Sequence, residues 1–267
     1  MLEQIEGFEP STFSHDGLAH QVFKGGTGPC VIVIHEIPGL HPGVVDFARR
    51  VVARGHSVWM PSLFGTPMKP FSIASTVNTL ARVCVSREFT QLALDGPGPV
   101  MGWLRALAAD AHEQCGGPGV GAVGMCFTGG FALGMMVDER MLAPVLSQPS
   151  MPFPVGARRR RSPGVSAGDL DRIKERAARG ACVMGLRFSR DSMVPTARFE
   201  TLRRELGDAF IAVEIDSSRH NEWGIKPRAH SVLTLDLVDE PGHPTRDALE
   251  RVLDFLDDRL DGRLDGP

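Results

Sequence analysis

Val120-Gly-Ala-Val-Gly-Met-Cys126-Phe-Thr-Gly-Gly-Phe-Ala132 is the stretch on which the reading of this chain turns. Its first half is short, apolar and uncharged, as a buried strand is, and its second half is small and apolar and opens an apparent helix. Cys126 stands at the junction with Gly124, Gly129 and Gly130 around it. A strand that turns sharply into a helix strains the backbone of the residue at the turn, and the neighbours must be small because the chain passes close to itself there. The first N–H groups of the helix then point at the side chain on the turn, which favours a thiolate. Cys126 is therefore a candidate nucleophile. Cys30, Cys84, Cys115 and Cys182 lack such surroundings and read as structural cysteines.

Working outward, further apolar runs bounded by Gly, Pro or Asp occur at Cys30–His35, Ser57–Met60, Leu142–Leu146, Cys182–Phe188 and Phe210–Ile215, beside Gly121–Met125 itself. Helical spacing separates several of them: Val44, Phe47, Ala48 and Val51 within Gly43–Arg54, Phe199, Leu202 and Leu206 within Thr196–Leu206, and Leu249, Val252, Leu253 and Leu256 within Arg246–Leu260. Strands alternating with helices predict an α/β fold, a mostly parallel central sheet with helices on both faces. The 267 residues suit one domain spanning 1–267. A proline-rich stretch with the basic run Arg158–Arg161 breaks the rhythm, and Ser166 with Asp169 looks like a helix start leading to about Arg179. The segment 147–180 is thus expected to be a lid-like insertion, its arginines either solvated or attractive to an anionic substrate.

Composition excludes several classes. A formal net charge of -3 gives no reason to expect nucleic acid. No apolar run is long enough to span a bilayer, the amino terminus does not read as a signal peptide, and five cysteines without a CxxC pair do not make a disulfide framework. A cytoplasmic location is expected. The chain has no Tyr, which removes one common general acid. His35-Glu36 is not a zinc-protease motif, because Gly39 stands where the second histidine is needed. No metal or cofactor is expected.

The Cys126 segment together with Val31-Ile-Val-Ile-His-Glu36-Ile-Pro-Gly-Leu40 resembles the dienelactone hydrolase family, from about Val31 to the final helix. The resemblance implies the α/β-hydrolase fold and a carboxylic ester hydrolase, similar to carboxymethylenebutenolidase, that acts on a small ester or lactone through a Cys-His-Asp triad. On it, Glu36 holds or receives the thiol proton. Ser189-Arg-Asp191-Ser-Met-Val-Pro195 resembles the family's acid loop, which makes Asp191 the acid. The loop after Ile215 holds two histidines, His220 and His230, and Ala229-His230-Ser231 resembles the catalytic histidine at the start of a helix. In this fold the oxyanion hole comes from backbone N–H groups, here those of Ile37 and Phe127, since Pro38 has none. Arg87 and Ser231 are expected to contact substrate. Thr128 replaces a more usual glycine, and Thr234 stands where an arginine helps bind a substrate carboxylate. The alternative is a non-hydrolytic protein of the same fold with a sensor or binding thiol.

Overall fold

The computed structural model describes residues 4–72, 79, 98–151 and 156–261. Among the described residues eight strands, β1 (Glu9–His15), β2 (Leu18–Gly25), β3 (Cys30–Ile34), β4 (Ser57–Ser62), β5 (Val120–Met125), β6 (Met141–Ser147), β7 (Val183–Phe188) and β8 (Phe210–Ile215), make one sheet. Its order is β1-β2-β4-β3-β5-β6-β7-β8. From β4 through β8 all neighbours are parallel, and the β1–β2 hairpin is antiparallel, as is its join to β4. The six expected strands are all present with ends shifted by a residue or two. The hairpin was not expected, because an edge pair that is half solvated carries mostly polar residues. Its one local signal is Asp16-Gly17, both at positive φ (47° and 79°), a pair suited to a tight hairpin turn.

Among the described residues the α-helices with full bounds are α1 (Pro42–Ala53), α2 (Pro99–Cys115), α3 (Gly129–Met135), α4 (Ala157–Arg161), α5 (Ala167–Ala177), α6 (Thr196–Leu206) and α7 (Pro244–Leu260). Alternation along the strands divides the core between the two faces of the sheet. Ile32, Ile34 and Ala122 join Trp103 of α2, Phe131 of α3 and Phe199 of α6. Val31, Val33 and Val123 join Phe47 of α1 and Leu249 and Leu256 of α7. Each fully buried Val, Ile, Leu or Phe among them contributes roughly 1.5–3 kcal/mol.

Two consequences of this architecture position the site. After β3 the chain crosses to β4 on one side, and after β5 it crosses to β6 on the other, so the carboxyl ends of the adjacent strands β3 and β5 flank a crevice where the winding reverses. Secondly, Pro149, Arg159 and Ser162 are tied down from α6. The guanidinium of Arg198, buried, donates to Ser162 O (2.8 Å), Pro149 O (2.6 Å) and Arg159 O (3.2 Å), a fork that holds three carbonyls at once. Ser166 caps α5 as expected, accepting the Asp169 N–H at 3.0 Å. The arginines of α4 are exposed apart from Arg159, which is half-buried.

Candidate active site

Cys126 follows β5 at φ 55°, the left-handed conformation a nucleophile on a sharp strand-to-helix turn requires. A 3-10 turn, Cys126–Thr128, precedes α3, so the turn is tighter than a helix start alone. The glycine requirement is explicit. A Cβ on Gly124 would lie 2.2 Å from Thr128 O, and one on Gly129 would lie 2.7 Å from Pro149 Cα. Cys126 is itself buried.

Asp191 leaves β7 and His230 lies in the long loop after β8, and the structure brings them together: His230 Nδ1 donates to Asp191 Oδ2 at 2.6 Å. The other aspartate oxygen accepts Met193 N–H at 2.9 Å, which fixes the carboxylate plane. Because Nδ1 faces the acid, Nε2 is the nitrogen left for chemistry. It is buried and makes no hydrogen bond of good geometry. Cys126 is nonetheless close enough to act on the ring through charge and a loose contact. Contacts of this kind commonly tighten only when substrate is bound. Burial pushes His230 down, but the charge of Cys126 and the Asp191 hydrogen bond outweigh it, so its pKa stands well above the usual imidazole range. His220 makes no part of this arrangement.

The resting partner of the thiol is Ser150, whose Oγ lies 3.1 Å from Cys126 Sγ and whose N–H donates to Cys126 O at 2.9 Å. Ser150 is buried and sits just beyond β6, two residues after Gln148, itself at φ 37°. Nothing in a proline-rich stretch distinguishes it by sequence.

Glu36 follows β3, as its place in the sequence predicts, but its carboxylate is held by four side chains, none of them Cys126. Oε1 meets His41 Nε2 (3.1 Å) and the Thr234 hydroxyl, and Oε2 accepts from Ser231 Oγ (2.7 Å) and Gln148 Nε2 (3.2 Å). Burial pushes Glu36 up, while His41, Thr234 and Ser231 pull it down, and the net direction is down. In this arrangement the four partners of the carboxylate are these side chains. Ser231, expected on the substrate, is likewise committed to Glu36. Ile37 and Phe127, expected to frame the oxyanion hole, sit directly after Glu36 and Cys126, with a cis bond from Ile37 to Pro38. Among the described residues no group of three or more His, Cys, Asp and Glu side chains is placed to hold a metal ion, and none of the helices is long and apolar enough to cross a membrane.

The family model for the dienelactone hydrolase family matches residues 19–259. The chain belongs to the dienelactone hydrolase family. Among solved structures, it is similar to a presumed dienelactone hydrolase from Klebsiella pneumoniae, with 20% identity, 93% of this chain and 97% of that one covered, and a TM-score of 0.63. It is also similar to a dienelactone hydrolase-like promiscuous phosphotriesterase from metagenomic libraries (16% identity, 95% and 98% covered, TM-score 0.59). A third is a cold-adapted esterase from an Arctic intertidal metagenomic library (15% identity, 97% of each chain, TM-score 0.60). These likenesses are of fold. Comparison with curated proteins gives no significant match. Family membership supports a hydrolase acting on small molecules, with ester hydrolysis as the general activity.

As a dienelactone hydrolase family member the chain has two departures, and both have physical explanations. The Thr128 hydroxyl accepts Met125 N–H at 2.9 Å and lies within donating distance of Ile34 O (2.9 Å) and His35 O (3.2 Å), so it ties the turn to β3. A glycine would leave these groups without that link. Thr234 is spent on Glu36 instead of reaching toward a substrate. The expected helix after His230 is absent. Asp236 Oδ2 accepts the N–H groups of both His230 (2.8 Å) and Ser231 (3.0 Å), and Ser231 O accepts from Thr234 and Asp236, which closes residues 230–236 into a turn. Arg87 lies outside the described residues, as does Cys84.

Proposed function

We propose that the protein hydrolyses a small carboxylic ester or lactone through an acyl-cysteine, with Cys126 as nucleophile, His230 as general base and acid, and Asp191 as the residue that orients His230. The observation that carries this is the His230–Asp191 bond at 2.6 Å beside a cysteine held at φ 55°. The raised His230 pKa makes its imidazole a ready acceptor for the Cys126 thiol proton as the sulfur attacks. The thiolate attacks the carbonyl carbon, and the N–H groups of Ile37 and Phe127 receive the developing oxyanion. On collapse the C–O bond to the alcohol breaks and His230 gives the leaving oxygen its proton. A water, losing a proton to His230, then attacks the acyl-cysteine and releases the acid and the thiolate.

Glu36 braces this apparatus in the proposal. Through Ser231 and Thr234 it holds the turn that carries His230, and through Gln148 it holds the chain leading to Ser150. The chain works as one domain on one sheet, and Ser150, near the start of segment 147–180, is the part of that segment that meets the thiol. A thiol nucleophile needs a reducing setting, so the cytoplasmic location belongs to this reading.

A panel of p-nitrophenyl esters and small lactones, assayed with wild type and Cys126→Ala, tests it. Turnover by wild type that is lost in the variant supports the proposal. Full activity in the variant removes Cys126 from the chemistry, and an inert wild type whose Cys126 still alkylates rapidly favours a sensor thiol.

A further inference from the structure

Two thiols that the proposed reaction does not use lie near the amino end of β3, at the end of the sheet opposite Cys126. Cys30 opens β3 and is paired with Ser57 across the β3–β4 ladder, while Cys115 closes α2. Cys115 lines a cavity of about 610 Å3 together with Lys24, Ser57, Trp59, Gln114 and Glu9. The cavity has a fixed cationic wall: Lys24 Nζ lies 3.4 Å from the centroid of the Trp59 ring and donates to Gln114 Oε1 at 3.3 Å. Cys30 is fully buried behind it, and Cys115 is half-buried. Ser57, the ladder partner of Cys30, lines the cavity beside Cys115, and Gly117, two residues after Cys115, packs on Pro29, the residue before Cys30, which brings the two cysteines side by side.

The environments divide the pair. The Cys30 hydrogen bond lowers the Cys115 thiol most, burial opposes it, and Ser57, the Lys24 charge and Trp59 assist, leaving it at about 6. Burial, with the bond to Cys115, pushes Cys30 well up. The carboxyl end of α2 and the Glu9 carboxylate work against a thiolate at Cys115, and the donors around the sulfur offset them. One thiol therefore lines the cavity with its pKa pulled down, and the other is closed off with its pKa pushed up.

From the juxtaposition of Cys115 in the cavity with Cys30 behind it we infer that Cys115 and Cys30 form a second thiol site, which a hydroperoxide entering the cavity converts to an intramolecular disulfide. In the first step the Cys115 thiolate attacks the distal peroxide oxygen; an S–O bond forms, the O–O bond breaks, sulfur loses two electrons to the peroxide, and the alcohol or water produced takes up a proton. In the second, Cys30 attacks the sulfenic sulfur; the S–S bond forms, the S–O bond breaks, and the hydroxide leaves as water with the Cys30 proton. Lys24 offers the departing oxyanion a cation.

The test uses full-length Cys126→Ala protein, so no outcome depends on ester chemistry. Folded protein is treated with hydrogen peroxide at pH 7, free thiols are blocked after denaturation, and unreduced peptides are mapped by mass spectrometry. The expected result is a Cys30–Cys115 cross-linked peptide, formed about tenfold or more faster than Cys182 is oxidised, in proportion to the thiolate fractions. With Cys30→Ser added, dimedone traps a sulfenic acid on Cys115. With Cys115→Ser instead, Cys30 stays reduced. Oxidation of Cys115 no faster than of Cys182, or Cys115 oxidised past the sulfenic state without a cross-link to Cys30, overturns the inference.

Discussion

Acid should destabilise this protein through His35, a residue at the end of β3 that takes no part in the proposed chemistry. The ring is fully buried between Glu36 O, 3.0 Å from Nδ1, and Leu63 N–H, which donates to Nε2 at 3.0 Å. Since Nε2 accepts, Nδ1 carries the proton and both nitrogens are satisfied only in the neutral form. Burial, with the charge of His41 beside it, lowers the pKa from 6.5 to about 4. A folded pKa below the unfolded one means that the unfolded chain binds the extra proton as pH falls past 6.5. The stability is complete above that pH, is lost as pH falls toward 4, and changes no further below it. At 1.36 kcal/mol per unit, the loss is about 2 kcal/mol at pH 5 and about 3 kcal/mol at pH 4. Urea unfolding of wild type and His35→Gln, followed by tryptophan fluorescence at pH 7, 5 and 4, isolates this contribution, since glutamine offers one donor and one acceptor without titrating. Wild-type stability minus variant stability should shrink by about those amounts. A difference that stays flat from pH 7 to 4 refutes the reasoning, whatever the variant costs at neutral pH.

Other expectations follow from the site. Asp191→Asn should leave the fold unchanged and lower kcat by about ten-thousand-fold, the scale for losing the residue that sets the histidine tautomer, as read from steady-state ester hydrolysis. Ser150→Ala removes one hydrogen bond to the thiol, about 1 kcal/mol, so the rate of Cys126 alkylation by iodoacetamide should change by about fivefold while the melting temperature moves little. Arg198→Leu deprives the carbonyls of Pro149, Ser162 and Arg159 of a common donor, for a loss of roughly 3–5 kcal/mol in urea and earlier tryptic cleavage at the α4 arginines.

The features legible in the sequence are those whose cause is local. The turn at Cys126 could be read because Gly124 and Gly129 are demanded by backbone atoms within a few residues or directly opposite. The parallel strands could be read because burial on both faces makes them continuously apolar. The β1–β2 hairpin escapes because a solvated edge has no such run. In the site, Asp191 and His230 were placed by family likeness, and the structure brings them within hydrogen-bond distance. The surroundings of Glu36 were out of reach: His41, Gln148, Ser231 and Thr234 come from three distant parts of the chain, and no spacing relates them. Ser150 was hidden for the same reason, and the turn at 230–236 depends on Asp236, whose carboxylate substitutes for the first turn of the expected helix.

The central claim is that the acyl group passes through Cys126. Rapid mixing of the enzyme with a p-nitrophenyl ester that it turns over, acid quenching within the first turnovers, and peptide mapping by mass spectrometry test it most directly. The account predicts an acyl adduct on the peptide carrying Cys126 that forms with the burst of nitrophenol, decays as substrate is exhausted, and is absent from Cys126→Ala. Steady turnover with no adduct on Cys126, or with the adduct on another residue, would contradict it.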